Sequence, residues 1–328
     1  MKILVTGGAG YIGCHTIKVL KESNYEILVY DNLIRGHREA IKGYNFIEGD
    51  IAETDRISQI LTEQNVDAVM HFAAHSQVGE SVEKPDLYYH NNVAGGISLL
   101  NALVKAGLKY FIFSSSAAVY GEPEQIPIKE SHSINPTNPY GESKVVIENA
   151  LNYYEKAHGI KSVSLRYFNA AGADPSGDLG EDHDPETHLI PIVLQVALGQ
   201  REKVVVFGDD YPTADGSAVR DYIHVSDLAQ AHMLALGKLI DGAPSSTYNL
   251  GNGDGYSVLE VIKAAERVVN KKIPCELGPR RAGDPAVLVA SADKAINELE
   301  WKPQYTGLEK IIETAWNWHK NSPNGYKD

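Results

Sequence analysis

A short apolar run, Ile3-Leu4-Val5, meets Gly7-Gly8-Ala9-Gly10-Tyr11-Ile12-Gly13 almost at once, and a helix-period segment over 11–23 begins inside that stretch. Gly7, Gly10 and Gly13 form a G-x-x-G-x-x-G pattern. Missing Cβ atoms let the backbone turn tightly and approach a pyrophosphate, whose charge then rests on the helix N-terminus. Taken alone, such a trio also fits a tight strand–helix turn that holds no ligand. Asp31 adds the second signal. It ends the next apolar run, 18 residues after Gly13, where a carboxylate can hydrogen-bond both ribose hydroxyls of an adenosine. The same carboxylate repels a 2′-phosphate, which predicts NAD rather than NADP; Arg35 and Arg38 weaken that preference without cancelling it. The chain has no G-x-x-x-x-G-K-[ST], so no P-loop competes for the phosphates.

The rest of the first half keeps the same rhythm. Ile27-Leu28-Val29-Tyr30, Ala68-Val69-Met70-His71 and Tyr110-Phe111-Ile112-Phe113 read as strands covered on both faces. Segments 11–23, 54–63 and 85–106 read as helices between them, followed by a helix over 138–158 and a strand at Ser162-Val163-Ser164-Leu165-Arg166. This alternation predicts an α/β fold with a Rossmann-type, doubly wound parallel sheet. Beyond Arg166 the pattern loosens into loops rich in Gly, Pro and Asp at 172–185 and 208–216. Helices recur over 225–239, 258–270 and 308–319, the last with Leu308, Ile311, Ile312, Ala315 and His319 on one face. The expected division is a NAD-binding domain over 1–166 and a smaller mixed α/β substrate lobe over 167–328, with segments of the lobe returning to the core.

Composition narrows the function classes. Thirty Lys and Arg against 43 Asp and Glu give a formal charge of −13 with no basic stripe, which argues against a nucleic-acid partner. The longest apolar runs are strand-length, which argues against a membrane span or a secretory leader. Cys14 and Cys275 lie too far apart in sequence to suggest a disulfide framework, and a cytoplasmic location is expected. An anionic ligand would need a few well-placed arginines to overcome this net field.

The second constellation is Tyr140-Gly141-Glu142-Ser143-Lys144, just inside a predicted helix with Asn138 as N-cap and Pro139 at the first helical position. Tyr140 and Lys144 are four residues apart and share a helix face. Phe113-Ser114-Ser115-Ser116 ends a strand, and open α/β sheets bind ligands at carboxyl strand ends. A free tyrosine has a pKa of about 10, so only about one in a thousand is phenolate at pH 7. An ammonium, helped by the positive charge of an oxidised nicotinamide, favours the phenolate. A shift of about three units corresponds to roughly 4 kcal/mol. Such a tyrosine can take a proton from a substrate hydroxyl, with Ser116 holding the same oxygen. On spacing alone, the pattern also fits an amphipathic helix with a surface Tyr–Lys pair.

Together these features resemble the extended short-chain dehydrogenase/reductase superfamily, and finer strings resemble its UDP-glucose 4-epimerase family. They are Phe113-Ser114-Ser115-Ser116-Ala117-Ala118-Val119-Tyr120-Gly121, Leu165-Arg166-Tyr167-Phe168-Asn169, Pro175-Ser176-Gly177-Asp178, Val219-Arg220-Asp221-Tyr222-Ile223-His224-Val225, Tyr248-Asn249-Leu250-Gly251 and Pro279-Arg280-Arg281-Ala282-Gly283-Asp284. The likeness runs in register from Met1 to about Trp318. It implies an isomerase that interconverts UDP-glucose and UDP-galactose by reversible hydride transfer at hexose C4, through a 4-keto sugar, with NAD as cofactor. In that reading Tyr140 is the base, Lys144 lowers its pKa and holds the nicotinamide ribose, and Ser116 bridges to the 4-hydroxyl. Gly7, Gly10, Tyr11, Ile12, Gly13, Asp31, Asn32, Asp50, Ile51, Phe72, Ala73, Ala74, Asn92, Ser114, Tyr167 and Phe168 join Tyr140 and Lys144 around the cofactor. Asn169, His188, Leu189, Val205, Phe207, Arg220, Arg281, Asp284 and Leu288 join Ser116 and Tyr140 around the UDP-sugar. Arg220 and Arg281 suit a pyrophosphate clamp because guanidinium forks pair bidentately with phosphate oxygens. The resemblance also implies a homodimer paired through helices 85–106 and 138–158.

Several positions depart from that family pattern. Ser76 stands where a lysine often sits near the cofactor, Ala118 replaces a threonine, and His188 replaces an asparagine that contacts substrate. Leu288 falls where the side chain limits space beside the sugar 2-position, which leaves N-acetylated UDP-hexosamines as the alternative substrate class. A non-catalytic NAD sensor is a third reading, against which the complete Ser116, Tyr140 and Lys144 set speaks. A 4,6-dehydratase would need an acid after Ser116, where Ala117 and Ala118 stand. No metal site is expected: His71 and His75 lack a completing ligand, and Glu181-Asp182-His183-Asp184 reads as a solvated loop. Cys14 reads as a small packing residue, and Trp301, Trp316 and Trp318 as packing for the C-terminal helix.

Overall fold

In chain order the first half forms β1 (Lys2–Thr6), α1 (Tyr11–Glu22), β2 (Glu26–Asp31), β3 (Asn45–Glu48), α2 (Thr54–Glu63), β4 (Ala68–His71), α3 (Val78–Glu83), α4 (Pro85–Tyr88), α5 (Gly96–Ala106), β5 (Tyr110–Ser116), α6 (Pro139–His158) and β6 (Lys161–Tyr167). The second half adds β7 (Asn169–Ala171), α7 (Leu189–Ala197), β8 (Val204–Phe207), β9 (Val219–His224), α8 (Val225–Ile240), β10 (Ser246–Leu250), β11 (Gly255–Ser257), α9 (Val258–Val269), β12 (Cys275–Gly278), β13 (Val287–Leu288), α10 (Asp293–Glu298) and α11 (Leu308–Asn321). These are the elements of a computed structural model that describes residues 1–281 and 284–327; Ala282 and Gly283 of the arginine-rich string lie outside the described residues.

Seven of these strands form one parallel sheet in the order β10-β6-β5-β4-β1-β2-β3. The expected doubly wound Rossmann-type sheet is therefore present. Alternate side chains of β1 point to opposite faces. Ile3 and Val5 pack with Ile17 and Leu20 of α1 and Leu228, Ala235 and Leu236 of α8. Leu4 packs with Ile57 and Leu61 of α2, Leu99 and Leu103 of α5, and Ile147 and Leu151 of α6. Both faces are thus sealed by helices, which is why the strands read as continuous apolar runs. Strand β10 and helix α8 come from beyond residue 166 yet belong to this first layer system. A second core joins α7, α9 and α11 to β8 and β9.

Three readings of the sequence need correction. The segment 85–106 is not one regular helix: Tyr89–Gly95 is a π-helix between α4 and α5. Gly95 and Gly96 explain the fit there, because added Cβ atoms would lie 2.8 Å from Ile51 Cδ1 and from Ile147 Cδ1 respectively. The π-turn places Asn92 in the interior, where its amide accepts from His75 N–H and donates to the His75 carbonyl oxygen and Ser143 Oγ. Trp301 is fully buried with α8 rather than on the C-terminal helix, and its Nε1 donates to the Asp227 carbonyl oxygen. The third correction, the 181–188 loop, belongs to the site.

A buried polar network braces the sheet behind β5. Arg166 grips both carboxylate oxygens of Glu148, Nε to Oε1 at 2.9 Å and Nη2 to Oε2 at 2.5 Å, and Ser115 Oγ donates to Oε1 at 2.6 Å. Arg166 also donates to Tyr120 Oη, which donates in turn to Asn249 Oδ1. These bonds link β5, β6, α6 and β10. Removing Arg166 or Glu148 would strand the other's buried charge, which typically costs about 3–5 kcal/mol.

Burial also leaves several imidazoles neutral. It pushes His71 and His224 down to about 3, and His15 and His232 down to about 4. His71 is satisfied by the Thr6 hydroxyl at 2.8 Å. In the unfolded chain these groups protonate near pH 6.5, so below that pH the unfolded state binds more protons and stability falls as pH drops. Each contributes up to about 1.4 kcal/mol per pH unit. Asp221, raised by burial to about 6, acts oppositely, as do Asp31 and Asp227, which burial also raises, but His75 and His319 are lowered together with the four imidazoles above. The calorimetric unfolding midpoint is therefore expected to fall between about pH 6.5 and about pH 5; a flat or rising midpoint would contradict this reading.

Candidate active site

All seven strands of the sheet are parallel, so the turn after β1 and the serines ending β5 open at the same edge. Gly7 occupies the left-handed region at φ +72°, and an added Cβ would lie 2.4 Å from Ala73 N. A Cβ at Gly13 would lie 2.2 Å from the Gly7 carbonyl oxygen. Those two glycines are demanded by the protein's own packing. Gly10 differs: a Cβ there would meet only the Gly7 carbonyl oxygen, at 3.4 Å. As N-cap of α1 it offers no capping side chain, and the first turn carries no acid. The uncapped N–H groups and the open space over Gly10 fit a pyrophosphate.

Asp31 sits within this cradle. Its Oδ2 accepts from Ala9 N–H at 3.0 Å and its Oδ1 from Leu33 N–H at 2.9 Å, which leaves a further lone pair on each oxygen. Burial raises its pKa while those backbone donors hold it down. Asn32 donates to Asp50 Oδ2 at 3.0 Å, and Ile51 beside it packs against Gly95. Phe72 and Ala73 lie over Gly7, and Ala74 leads to His75, which Asn92 fixes. The expected cofactor residues thus converge from the ends of β1, β2 and β4, together with the π-turn. Ser76 is exposed, as befits a small residue that makes none of these bonds.

Ser116, Tyr140 and Lys144 come together in a dry setting. Asn138 Oδ1 caps α6 by accepting from Gly141 N–H at 2.9 Å. An added Cβ at Gly141 would lie 2.4 Å from the Ala118 carbonyl oxygen, so glycine allows α6 to press against the turn after Ser116. Ser116 Oγ caps that turn by accepting from Ala118 N–H at 3.2 Å. Lys144 Nζ donates to the Ser114 carbonyl oxygen at 2.9 Å and lies 5.6 Å from the Tyr140 ring centre. The Ser114 and Tyr167 hydroxyls bond each other. Burial pushes Tyr140 up, opposed by its hydrogen bond with Ser116, and pushes Lys144 down to about 7, opposed by Glu148. In the protein alone, therefore, burial outweighs the Ser116 hydrogen bond and holds Tyr140 above the usual tyrosine range.

Residues expected around the UDP-sugar come from the second core and its rim. Asn169 on β7 pairs with Tyr222 of β9. Arg220 on β9 is ion-paired with Asp284, whose N–H donates to the Arg281 carbonyl oxygen at 3.4 Å. The Arg281 guanidinium lies 4.0 Å over the Phe207 ring, on the same strand as Val205. Leu288 pairs with Arg220 and packs, like Phe168, on the cluster of Ala117, Val119, Tyr120 and Ile128 just behind Ser116. Leu189 opens α7, and His188 is its N-cap.

The 181–188 segment exposes Asp184, Pro185 and Thr187 but turns its other side chains inward. Glu181 and Glu186 are buried, and His183 and His188 are half-buried beside them. His188, expected at the substrate, has its Nδ1 2.6 Å from Glu181 Oε1. Burial alone would lower both imidazoles, but the two carboxylates overcome it and hold His183 at about 9 and His188 at about 10.

Sequence reasoning missed Gly141, Glu148 and His75. Gly141 was visible as the residue between Tyr140 and Glu142, and only the approach of Ala118 gives it a role. Glu148 lies one turn beyond Lys144, a spacing that could have suggested a charge partner. The use of His75 through its backbone leaves no sequence signal.

The model of the NAD dependent epimerase/dehydratase family matches residues 3–251. A UDP-glucose 4-epimerase of Halalkalibacterium halodurans is 55% identical over 99% of this chain and 98% of its own length. A crystal structure of a UDP-glucose 4-epimerase superposes with a TM-score of 0.97 at 52% identity, covering 100% of both chains. The Bifidobacterium longum UDP-glucose 4-epimerase, solved with NAD+ and UDP, gives a TM-score of 0.94 at 41% identity, over 99% of this chain and 100% of that one. With the cradle, the acid and the Ser–Tyr–Lys set in place, this chain belongs to the NAD dependent epimerase/dehydratase family.

Proposed function

We propose that the protein interconverts UDP-glucose and UDP-galactose in an NAD-dependent reaction through a 4-keto sugar. The observation that carries this reading is the burial of Ser116, Tyr140 and Lys144 together at the strand end that faces the glycine cradle. The UDP-glucose 4-epimerase relatives, one of them solved with NAD+ and UDP, support the substrate class. The residues that would hold NAD are Gly7, Gly10, Tyr11, Ile12 and Gly13 for its pyrophosphate, Asp31 and Asn32 for its adenosine, and Lys144 for its second ribose. When bound, NAD supplies a two-electron acceptor that takes a hydride from the sugar carbon and gives it back.

The protein's own groups do the remaining work. Tyr140 takes the 4-hydroxyl proton as that carbon is oxidised, and returns it when the ketone is reduced from the other face. Ser116 holds the same oxygen, and Lys144, fixed by the Ser114 carbonyl, favours the phenolate when charged. Arg220 and Arg281 supply the diphosphate contacts, for which Arg220 would exchange its partner Asp284. Firm contacts to UDP with few to the hexose let the ketose present either face. Leu288, beside the cluster behind Ser116, sets the room at the sugar 2-position.

We propose further that two copies pair through the α5–α6 side, where Tyr89 is 43% and Tyr153 69% exposed. Light scattering is expected to give twice the chain mass; a single-chain mass would remove this part. Two free cysteines, one buried and one exposed, support a reducing, cytoplasmic setting. Among the described residues no helix is long and apolar enough to cross a membrane.

Tyr140→Phe tests the central assignment. Conversion of UDP-galactose to UDP-glucose, read by NMR, is expected to fall by about 10²–10⁴-fold with NAD still bound. Activity within a few-fold of the parent would overturn the role assigned to Tyr140.

A further inference from the structure

Between β7 and α7 the chain runs through Glu181-Asp182-His183-Asp184-Pro185-Glu186-Thr187-His188. Its backbone is held from both halves of the molecule. Trp318 Nε1 donates to the Glu181 carbonyl oxygen at 3.2 Å, Arg35 Nη1 to that of Asp184 at 2.6 Å, and Gln77 Nε2 to that of Pro185 at 3.4 Å. Tyr326 N–H donates to Asp182 Oδ2 at 2.9 Å. With the backbone so pinned, Glu181, His183, Glu186 and His188 each offer one ligand atom, and these atoms all lie within 4.8 Å of one another.

Their geometry is not that of a hydrogen-bonded ion cluster. His183 Nδ1 lies 3.2 Å from Glu181 Oε1 and 3.7 Å from Glu186 Oε2, and His188 Nδ1 lies 3.4 Å from Glu186 Oε1. His188 Nδ1 comes within 2.6 Å of Glu181 Oε1. Yet Glu181 Oε1, His183 Nδ1 and His188 Nδ1 are buried atoms with no hydrogen-bond partner. Glu181 is only 4% exposed, so water does not relieve it. Buried imidazoles and carboxylates that converge without a well-aligned hydrogen bond are costly, and a metal ion would take the place of the protons that the carboxylates otherwise hold on the two rings. Metal–ligand bonds of about 2.0–2.2 Å in a tetrahedron put ligand atoms about 3.3–3.6 Å apart. With Glu186 Oε2 as its ligand atom, the 3.2 and 3.7 Å separations match that edge to within a few tenths of an ångström, and the 2.6 Å contact would open as the ion enters. Glu186 is set up for this by its own backbone bonds: its Oε1 accepts from Thr187 and His188 N–H at 2.7 and 2.8 Å, which orients Oε2.

We propose that Glu181, His183, Glu186 and His188 bind one divalent transition-metal ion of the zinc class. Two imidazole nitrogens with two carboxylate oxygens in a four-coordinate arrangement suit zinc, whereas magnesium and calcium favour all-oxygen shells of six or more. The ion's role is structural. Four protein ligands fill a tetrahedron and leave no position for a reacting water. The site ties the start of α7, where Leu189 stands, to α1, whose Tyr11 ring meets His183 edge-on at 6.2 Å. It would thereby lock the substrate-side loop against the helix that opens the glycine cradle.

The test uses the full-length protein, freed of metal with a chelator and then equilibrated with zinc or cobalt(II) chloride. Elemental analysis after dialysis is expected to give about one ion per chain, and cobalt should show the intense visible bands of tetrahedral coordination. The unfolding midpoint should rise with free zinc. His183→Ala, and independently the milder Glu181→Gln, should each weaken uptake at least tenfold and abolish the cobalt bands. Uptake below about a tenth of an equivalent by the parent protein would overturn the proposal and leave the four groups as an ion cluster. Undiminished uptake by both folded variants, or octahedral cobalt spectra, would overturn it equally by putting the ion elsewhere.

Discussion

An amine and a phenol buried side by side each resist the charge that chemistry asks of them. Lys144 is pushed down to about 7, and Tyr140 is pushed up. The surrounding fold exists in part to hold this pair where water cannot stabilise either charge. The Ser114 carbonyl anchors the amine, Glu148 favours its protonation, and the Arg166 fork holds Glu148. Since β5, β6 and β10 all contribute to that brace, the position of the amine rests on the sheet register itself. A further positive charge delivered with the cofactor would favour phenolate over phenol. Without that charge, burial keeps Tyr140 on the phenol side.

Close packing sets a different constraint around the glycine cradle. Gly7 and Gly13 are fixed by van der Waals contact with the protein, but Gly10 is left open. A chain that needed only a tight turn would have no use for that third glycine.

The parts of this molecule legible in its sequence are those whose signal is local. Strands sealed on both faces are continuous apolar runs, and α6 announces itself through Asn138 and Pro139. Strand β3 escapes such a reading because it is a four-residue edge strand with charged or polar ends. The π-turn escapes it because the close approach of Ile51 to Gly95 and of Ile147 to Gly96 is between residues distant in sequence. The Glu181–His188 cluster misleads for a similar reason. Its acidic composition is that of a solvated loop, and bonds from elements distant in sequence, among them Trp318, Arg35, Gln77 and the backbone of Tyr326, turn it inward. The electrostatics of Tyr140 are hidden from the sequence because spacing shows a neighbour's charge but not the cost of burying it.

Direct titration of Tyr140 probes this electrostatic balance most sharply. Phenolate absorbance, taken as the difference between the parent protein and Tyr140→Phe, would be followed with pH in protein stripped of NAD and in protein reloaded with NAD+. No Tyr140 phenolate is expected below about pH 10 in the stripped protein, and it should appear in the neutral range with NAD+ bound. Phenolate at neutral pH without NAD+, or none there with it, would contradict an electrostatic origin for the reactivity of the site.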